Sequence, residues 1–270
     1  MKRRNFIGLV GLGSSALDSG SILCFSDQAY AVSPLKADGT ELHANLVIAG
    51  GGVGGCAAAL AALSNGLQVI LTEETDWIGG QLTQQGVPPD EHIWIETHGG
   101  TKSYRQYRTS VRNYYRNNYP LTDAARSMQY LNPGNAGVSV ICHEPRVSLA
   151  VLHGMLAPYI SSGHLTLLTE HKILSADHSG NKVNALKAIS RRTGKEIVLT
   201  APFFVDATEL GELLPLTGTE FVTGTESMNE TRELHAPEKA DPDNHQAFTM
   251  CFAMDYLPGT NNVGDKPAEY

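Results

Sequence analysis

Residues 45–60 constrain this chain more than any other stretch. They open with the apolar run Leu46-Val47-Ile48-Ala49, short and uncharged as a strand buried on both faces must be. Gly50, Gly52 and Gly55 then satisfy a G-x-G-x-x-G spacing, with Gly51 and Gly54 at two of the intervening positions. Cys56-Ala57-Ala58-Ala59-Leu60 follows, a segment of high helix propensity and little bulk. A strand, a glycine turn and a slim helix in that order suit a dinucleotide. The first glycine turns the chain sharply, and the second lets backbone N–H groups approach a pyrophosphate. The third lets the helix lie tight, with its positive end at the phosphates.

The chain has 27 glycines in 270 residues, so the spacing alone decides little and its surroundings carry the reading. Asn65-Gly66 ends the helix, and residues 67–71 read as a second parallel strand. Glu73 stands at the end of that strand, about 20 residues past the first glycine. A carboxylate there accepts hydrogen bonds from the ribose hydroxyls of an adenine dinucleotide. This motif does not separate FAD from NAD, and an NAD-dependent dehydrogenase stays open as a second reading.

The net charge of −8 argues against nucleic acid or an anionic membrane surface as the main partner. No apolar run approaches the roughly 18–20 residues of a spanning helix, so the sequence predicts no transmembrane segment. Cys24, Cys56, Cys142 and Cys251 are scattered without a C-x-x-C pair. That pattern supports neither a four-cysteine iron–sulfur cluster nor a closely spaced zinc site. Cys56, on a helix against a sheet, reads as a small core residue.

The N-terminus combines Lys2-Arg3-Arg4, a modest apolar stretch and Ala29-Tyr30-Ala31, the features of a secretory signal over residues 1–31. Arg3-Arg4-Asn5-Phe6-Ile7 resembles a twin-arginine signal, which predicts export of the folded protein to the periplasm or beyond. Residues 32–44 read as a linker.

Residues 84–100 read as an irregular polar loop carrying His92 and His98 beside Asp90, Glu91 and Glu96, in no ligand spacing that specifies a metal. Residues 103–118 are helical in pattern, with Arg105, Arg108, Arg112 and Arg116 in one stripe. Such a stripe reads first as a solvated face with the tyrosine side packed, and second as an anion-receptive wall. Glu144-Pro145 opens another helix, which Gly163 stops. Three β segments follow, at 165–174, 183–190 and 196–205, and their turns predict a meander.

Two further segments carry a family resemblance. Thr75-Asp76-Trp77-Ile78-Gly79-Gly80-Gln81 follows the Glu73 strand, and Phe203-Phe204-Val205-Asp206-Ala207-Thr208 ends a later strand at a small-residue turn. Together with the first motif they resemble FAD-dependent oxidoreductases of the glutathione-reductase type. The stretch from Asp206 through Glu226-Ser227 is similar to heterodisulfide reductase A-like proteins. The resemblance runs from about Asn45 to Ala253 and favours FAD over NAD. It implies an α/β fold: a Rossmann-type FAD-binding domain with a β-meander over residues 45–214, then the beginning of a substrate domain over 215–270. Residues 248–256 read there as strand-like.

The resemblance also implies hydride or electron transfer between a small-molecule substrate, bound flavin and an electron acceptor. Gly50, Gly51, Gly52, Gly54 and Gly55 would serve the pyrophosphate and Glu73 the ribose. Gly79, Gly80 and Gln81 would lead toward the flavin, and Ala207 and Thr208 would supply backbone contacts. Glu209 stands where the family's Ala-Thr-Gly segment has its glycine. The iron–sulfur cysteine motifs of the heterodisulfide reductase relatives are absent, as is a closing C-terminal Gly-Asp segment. The reading is therefore of an incomplete chain, with a non-catalytic flavoprotein remnant as its non-enzyme alternative. No catalytic acid or base can be assigned: His92, His98, His143 and Arg105 have no partner that sequence reveals. Oligomeric state is not encoded in any motif.

Overall fold

The computed structural model describes residues 41–252 and 254–266. The signal reading of residues 1–31 lies outside the described residues. In the stretch read as linker, Glu41–His43 already forms a strand, β1. Two residues later the chain enters β2, Leu46–Ala49, the apolar run of the glycine motif. Helix α1, Val53–Ser64, and strand β3, Val69–Thr72, complete a βαβ unit of the expected kind. The remaining strands are β4 (Leu165–Leu168), β5 (His171–Ser179), β6 (Lys182–Ser190), β7 (Glu196–Thr200) and β8 (Phe203–Asp206).

Two four-stranded sheets result. One is fully parallel in the order β4-β3-β2-β8, with Leu46 opposite both Val69 and Phe203. The other has the order β1-β7-β6-β5, in which β5, β6 and β7 form an antiparallel meander and β1 adds in parallel to β7.

The expected meander is therefore present, but two of its three predicted segments each belong to two sheets. Residues 165–174 break at Glu170, whose φ of 57° lies in the left-handed region. Before that corner the chain is β4 of the parallel sheet, and after it β5 of the meander. Residues 196–205 divide at Ala201-Pro202, where Pro202 cannot donate to a ladder. β7 closes the meander there and β8 crosses to the parallel sheet.

Strand alternation sorts the core into two layers. Ile48 and Leu71 face a helical layer built from α1, from α2 (Lys102–Asn118) and from α4 (Pro145–Ser161). Val47, Ala49 and Ile70 face the other way, onto Leu186, Ala188 and Leu199 of the meander sheet. The parallel sheet packs on both faces, which is why its strands are mostly apolar. Its strand–glycine turn–helix unit and crossover make it a Rossmann-type α/β fold.

The helices begin and end as their residues dictate. Thr101 caps α2 by accepting from the Tyr104 N–H at 3.2 Å. A short helix, α3, Asp123–Ser127, follows it. α4 has Pro145 at its start, and Gly163 (φ 75°) stops it. Two further short helices, α5 (Leu213–Leu216) and α6 (Met228–Thr231), lie beyond β8.

Past α6 the described chain has little regular structure, with one isolated bridge between Thr225 and Asp241. The strand expected over 248–256 is not formed. Phe248, Met250, Phe252 and Tyr256 alternate as a strand's would, yet all are exposed and no neighbouring strand among the described residues pairs with them. Alternation makes a strand only where a partner ladder exists. No helix among the described residues is long and apolar enough to cross a membrane.

Candidate functional site

Three turns converge where β2, β3 and β8 end, at the carboxyl edge of the parallel sheet. The first is the glycine turn. Gly50 has φ 95°, and a Cβ there would stand 2.2 Å from the Ala207 carbonyl oxygen. At Gly55 a Cβ would come within 1.9 Å of the Gly50 oxygen, so only glycine lets α1 lie this close to the turn. Gly51 and Gly52 are buried between these points, while the side of Gly54 faces open space. α1 starts at Gly52 with no side-chain cap and no acidic residue in its first turn. Its leading N–H groups are thus left for a ligand.

The second turn follows β3. Glu73 is buried, and its Oε2 accepts from the Gly51 N–H at 2.9 Å. Its Oε1 accepts from the Thr75 N–H at 2.9 Å and from the Thr75 hydroxyl at 2.8 Å. The carboxylate the sequence assigns to ribose therefore also clamps the glycine turn, with lone-pair capacity left over. The Gly79 N–H donates to the Gly51 oxygen at 2.8 Å, which joins the second glycine pair to the first. Gly80 and Gln81 continue into a 3-10 turn, Gly80–Leu82, on which Gln81 is exposed.

The third turn follows β8. The Ala207 N–H donates to the Ala49 oxygen at 2.8 Å. Asp206 organises the segment: Oδ1 accepts from the Thr208 N–H and hydroxyl, and Oδ2 from the Leu213 N–H at 2.9 Å. The Thr208 hydroxyl oxygen accepts in turn from the Glu212 N–H at 2.8 Å. Asp206 is thus a tie within the turn. Its place at a strand end was the available signal, though the sequence could not show its partners.

The cavity between the turns measures about 160 Å³ and includes Gly50, Gly52, Glu73, Ala207 and Thr208 in its wall. Glu209 narrows it. Its Oε1 lies 3.0 Å from where a Cβ would stand on Gly52, and equally close at Gly80. A carboxylate thus rests at the one place where two glycine turns and a helix start favour an anion. Thr72, whose Oγ1 accepts from the Gly50 N–H at 3.4 Å, also lines the cavity, as does Lys172, ion-paired to Glu74 at 3.3 Å. Neither carries a motif that singles it out in sequence.

Cys56 is buried beneath the glycine turn, its thiol donating to the Gly51 oxygen at 3.3 Å. Burial, reinforced by the Glu73 charge, pushes the thiol up to about 12. That fits the core role expected of it.

The four polar candidates lie outside this cavity. His92 and His98 are exposed around Trp94, whose ring stacks on His98 at 5.9 Å. His143 turns Nδ1 to the Ile141 oxygen at 2.6 Å and Nε2 to the Ser148 hydroxyl at 2.5 Å, so both ring nitrogens are engaged. Burial lowers its pKa and favours the neutral ring. Arg105 donates to the Gly99 oxygen. Among the described residues no group of three or more His, Cys, Asp or Glu side chains is arranged to hold a metal.

This chain belongs to the FAD dependent oxidoreductase family, whose sequence profile matches residues 45–268. It is similar to several solved flavoprotein structures. L-proline dehydrogenase from P. horikoshii is 16% identical over 63% of this chain and 23% of its own, with a TM-score of 0.35. The myxobacterial chondrochloren halogenase, an FAD-dependent halogenase, is 14% identical over 62% and 37%, with a TM-score of 0.39. Glycerol-3-phosphate dehydrogenase from Bacillus halodurans, solved with FAD, is 17% identical over 64% and 36%, with a TM-score of 0.39. The chain thus spans between about a quarter and two fifths of the length of these structures. No curated protein matches it.

The residues present fit the family's cofactor. The uncapped start of α1 and the two linked glycine turns form a cradle that a Cβ would fill. The Glu209 carboxylate already stands in it as an anion would.

Proposed function

We propose that this chain binds FAD in the cavity at the carboxyl edge of its parallel sheet. It would serve there in hydride or electron transfer between a small-molecule substrate and an electron acceptor. One observation supports the reading: the first glycine turn before the uncapped start of α1, the Glu73 carboxylate and the β8 turn line a single cavity. Bound FAD would supply the redox chemistry, and the protein its position and electrostatic surroundings.

The chain's own residues divide that task. Gly52, Gly54 and Gly55, at the start of α1, present backbone N–H groups and its positive end to the pyrophosphate, while Gly50 and Gly51, whose N–H groups go to Thr72 and Glu73, allow its close approach. Glu73 holds the glycine turn and offers its remaining acceptor site to a ribose hydroxyl. Gly79, Gly80 and Gln81 carry the chain from the phosphates toward the flavin ring. Ala207 and Thr208 contribute backbone groups held in place by Asp206. The closer kinship to heterodisulfide reductase A-like proteins belongs to this proposal. So do a division into an FAD-binding part, 45–214, and the start of a substrate domain, 215–270, and export through a twin-arginine-type signal.

Titration of FAD into the cofactor-free chain, followed by quenching of flavin fluorescence, tests the reading. One-to-one saturation is expected, with NAD failing to compete. Glu73→Ala should weaken binding by tenfold or more, since a hydrogen bond to a charged group contributes about 1.5–3 kcal/mol. Equal affinity in that variant would remove Glu73 from the ribose site. Saturation by NAD instead of FAD would favour the dehydrogenase reading.

A further inference from the structure

The arginine stripe of α2 does not form the solvated face that its sequence favours. Arg108 and Arg112 are only 4% and 5% exposed. The polar loop 84–100 folds over them and supplies both counter-charges. Arg108 Nε meets Glu91 Oε1 at 2.8 Å, and Arg108 Nη2 meets Glu96 Oε1 at 2.8 Å. Arg112 Nη2 reaches the same Glu96 oxygen at 2.5 Å. Two guanidiniums and two carboxylates close into a neutral buried set, the condition under which burying charge is tolerable.

Arg105, Arg116 and Arg126 remain outside that set. Among the described residues none of them has a carboxylate within ion-pair distance. Arg105 donates to the Gly99 oxygen, and Arg126 to the Arg116 oxygen. Arg116 donates to Asn113 Oδ1 at 3.0 Å and to the Met128 oxygen at 2.7 Å. All of these acceptors are neutral, so the positive charge is solvated in part but not cancelled. Arg105 and Arg116 flank a cavity of about 210 Å³, which Arg108 and Arg112 also line.

Three more donors edge this cavity: the hydroxyls of Thr109 and Tyr130 and the side-chain amide of Gln129. No hydrogen bond within the described structure engages any of the three. Arg112 holds Tyr130 in place, its guanidinium 5.6 Å from the ring centroid. Glu96 lines the cavity too, but its carboxylate is taken up by Arg108 and Arg112, so with Arg105 and Arg116 the wall keeps a net positive charge in a chain whose overall charge is −8.

We propose that this cavity binds a small oxyanion, such as the phosphate, sulfate or carboxylate group of a small molecule, at a site separate from the dinucleotide cavity. The two cavities share no lining residue. Guanidinium forks match oxyanion geometry, and the buried ion set gives them a fixed platform. The volume is many times what a single water needs, enough for an anionic head.

Calorimetric titration of the full chain tests this at constant ionic strength, with and without saturating FAD. The probes are inorganic phosphate, sulfate and citrate, with chloride as the reference. Saturable one-site binding is expected in both FAD conditions. It should weaken at least about tenfold in Arg105→Gln/Arg116→Gln, the loss that goes with removing charged hydrogen bonds. Thr109→Val, an exposed change that leaves the arginines intact, should weaken it to a smaller degree. Preference for citrate over phosphate would mark a carboxylate ligand, and the reverse a phosphoryl or sulfuryl one. Binding no stronger than chloride's, or undiminished in both variants, would overturn the proposal. So would binding that FAD abolishes, since the anion would then be using the dinucleotide cavity.

Discussion

Glu209 sets the residue-scale question, because its carboxylate rests against Gly52 and Gly80, two glycines of the proposed cofactor site. Like charges at about 4 Å repel by about 1 kcal/mol in water and more where solvent is excluded. Glu209→Gly should therefore tighten FAD binding several-fold at low salt, with the gain shrinking as salt rises. Flavin fluorescence titration at two salt concentrations measures both. Weaker binding in the variant would instead mean that Glu209 holds the cofactor by accepting from one of its hydroxyls. Cys56 gives a second prediction. With its thiol pushed up to about 12, it should stay unreactive toward a thiol reagent at pH 8 while exposed Cys251 reacts. Rapid labelling of Cys56 in the folded chain would contradict its buried position. The glycines were legible in sequence because a close approach permits no other residue. The pairing of Glu73 with Gly51 was not, since spacing indicates where a carboxylate stands but not what it accepts.

At the scale of elements, α2 and the loop before it form one unit. Burial raises the Glu96 pKa, but hydrogen bonds from Arg108 and Arg112 outweigh it and hold the carboxyl down to about 2. An unfolded Glu titrates near 4.3, so below that pH the unfolded chain takes up the proton first. The stabilisation is complete above about pH 5 and drains away as pH falls toward 2. Thermal melts between pH 5 and 2.5 should show the parent losing more stability on acidification than Glu96→Gln. Parallel slopes would contradict the pairing. At pH 7 the same variant should cost about 3–5 kcal/mol, because it leaves two buried guanidiniums short of a counter-charge. Periodicity revealed the helix but not the burial of its arginines, since a charge stripe looks the same whether water or another loop covers it. The corner at Glu170 was silent for a related reason: a left-handed glutamate carries no glycine or proline to announce it.

For the whole molecule, the two sheets and the helical layer share one strategy. The parallel sheet packs on both faces, and the turns at its carboxyl edge form the candidate site. Leu199, fully buried on the meander side, tests that packing: Leu199→Ala should destabilise by about 2–5 kcal/mol with little direct effect on cofactor contacts. Denaturant unfolding measures the loss, and a near-zero value would mean the meander sheet does not pack as described. This layering follows from the apolar strands and was legible. The use of β1 was not, because three residues are too few to carry a strand signal. The carboxyl edge is where FAD is proposed to bind. The most direct test is the visible absorption spectrum of the purified chain, supplied with FAD, freed of excess and then reduced with dithionite. Flavin bands should remain after gel filtration and bleach on reduction. A colourless protein that retains no added FAD would contradict that binding.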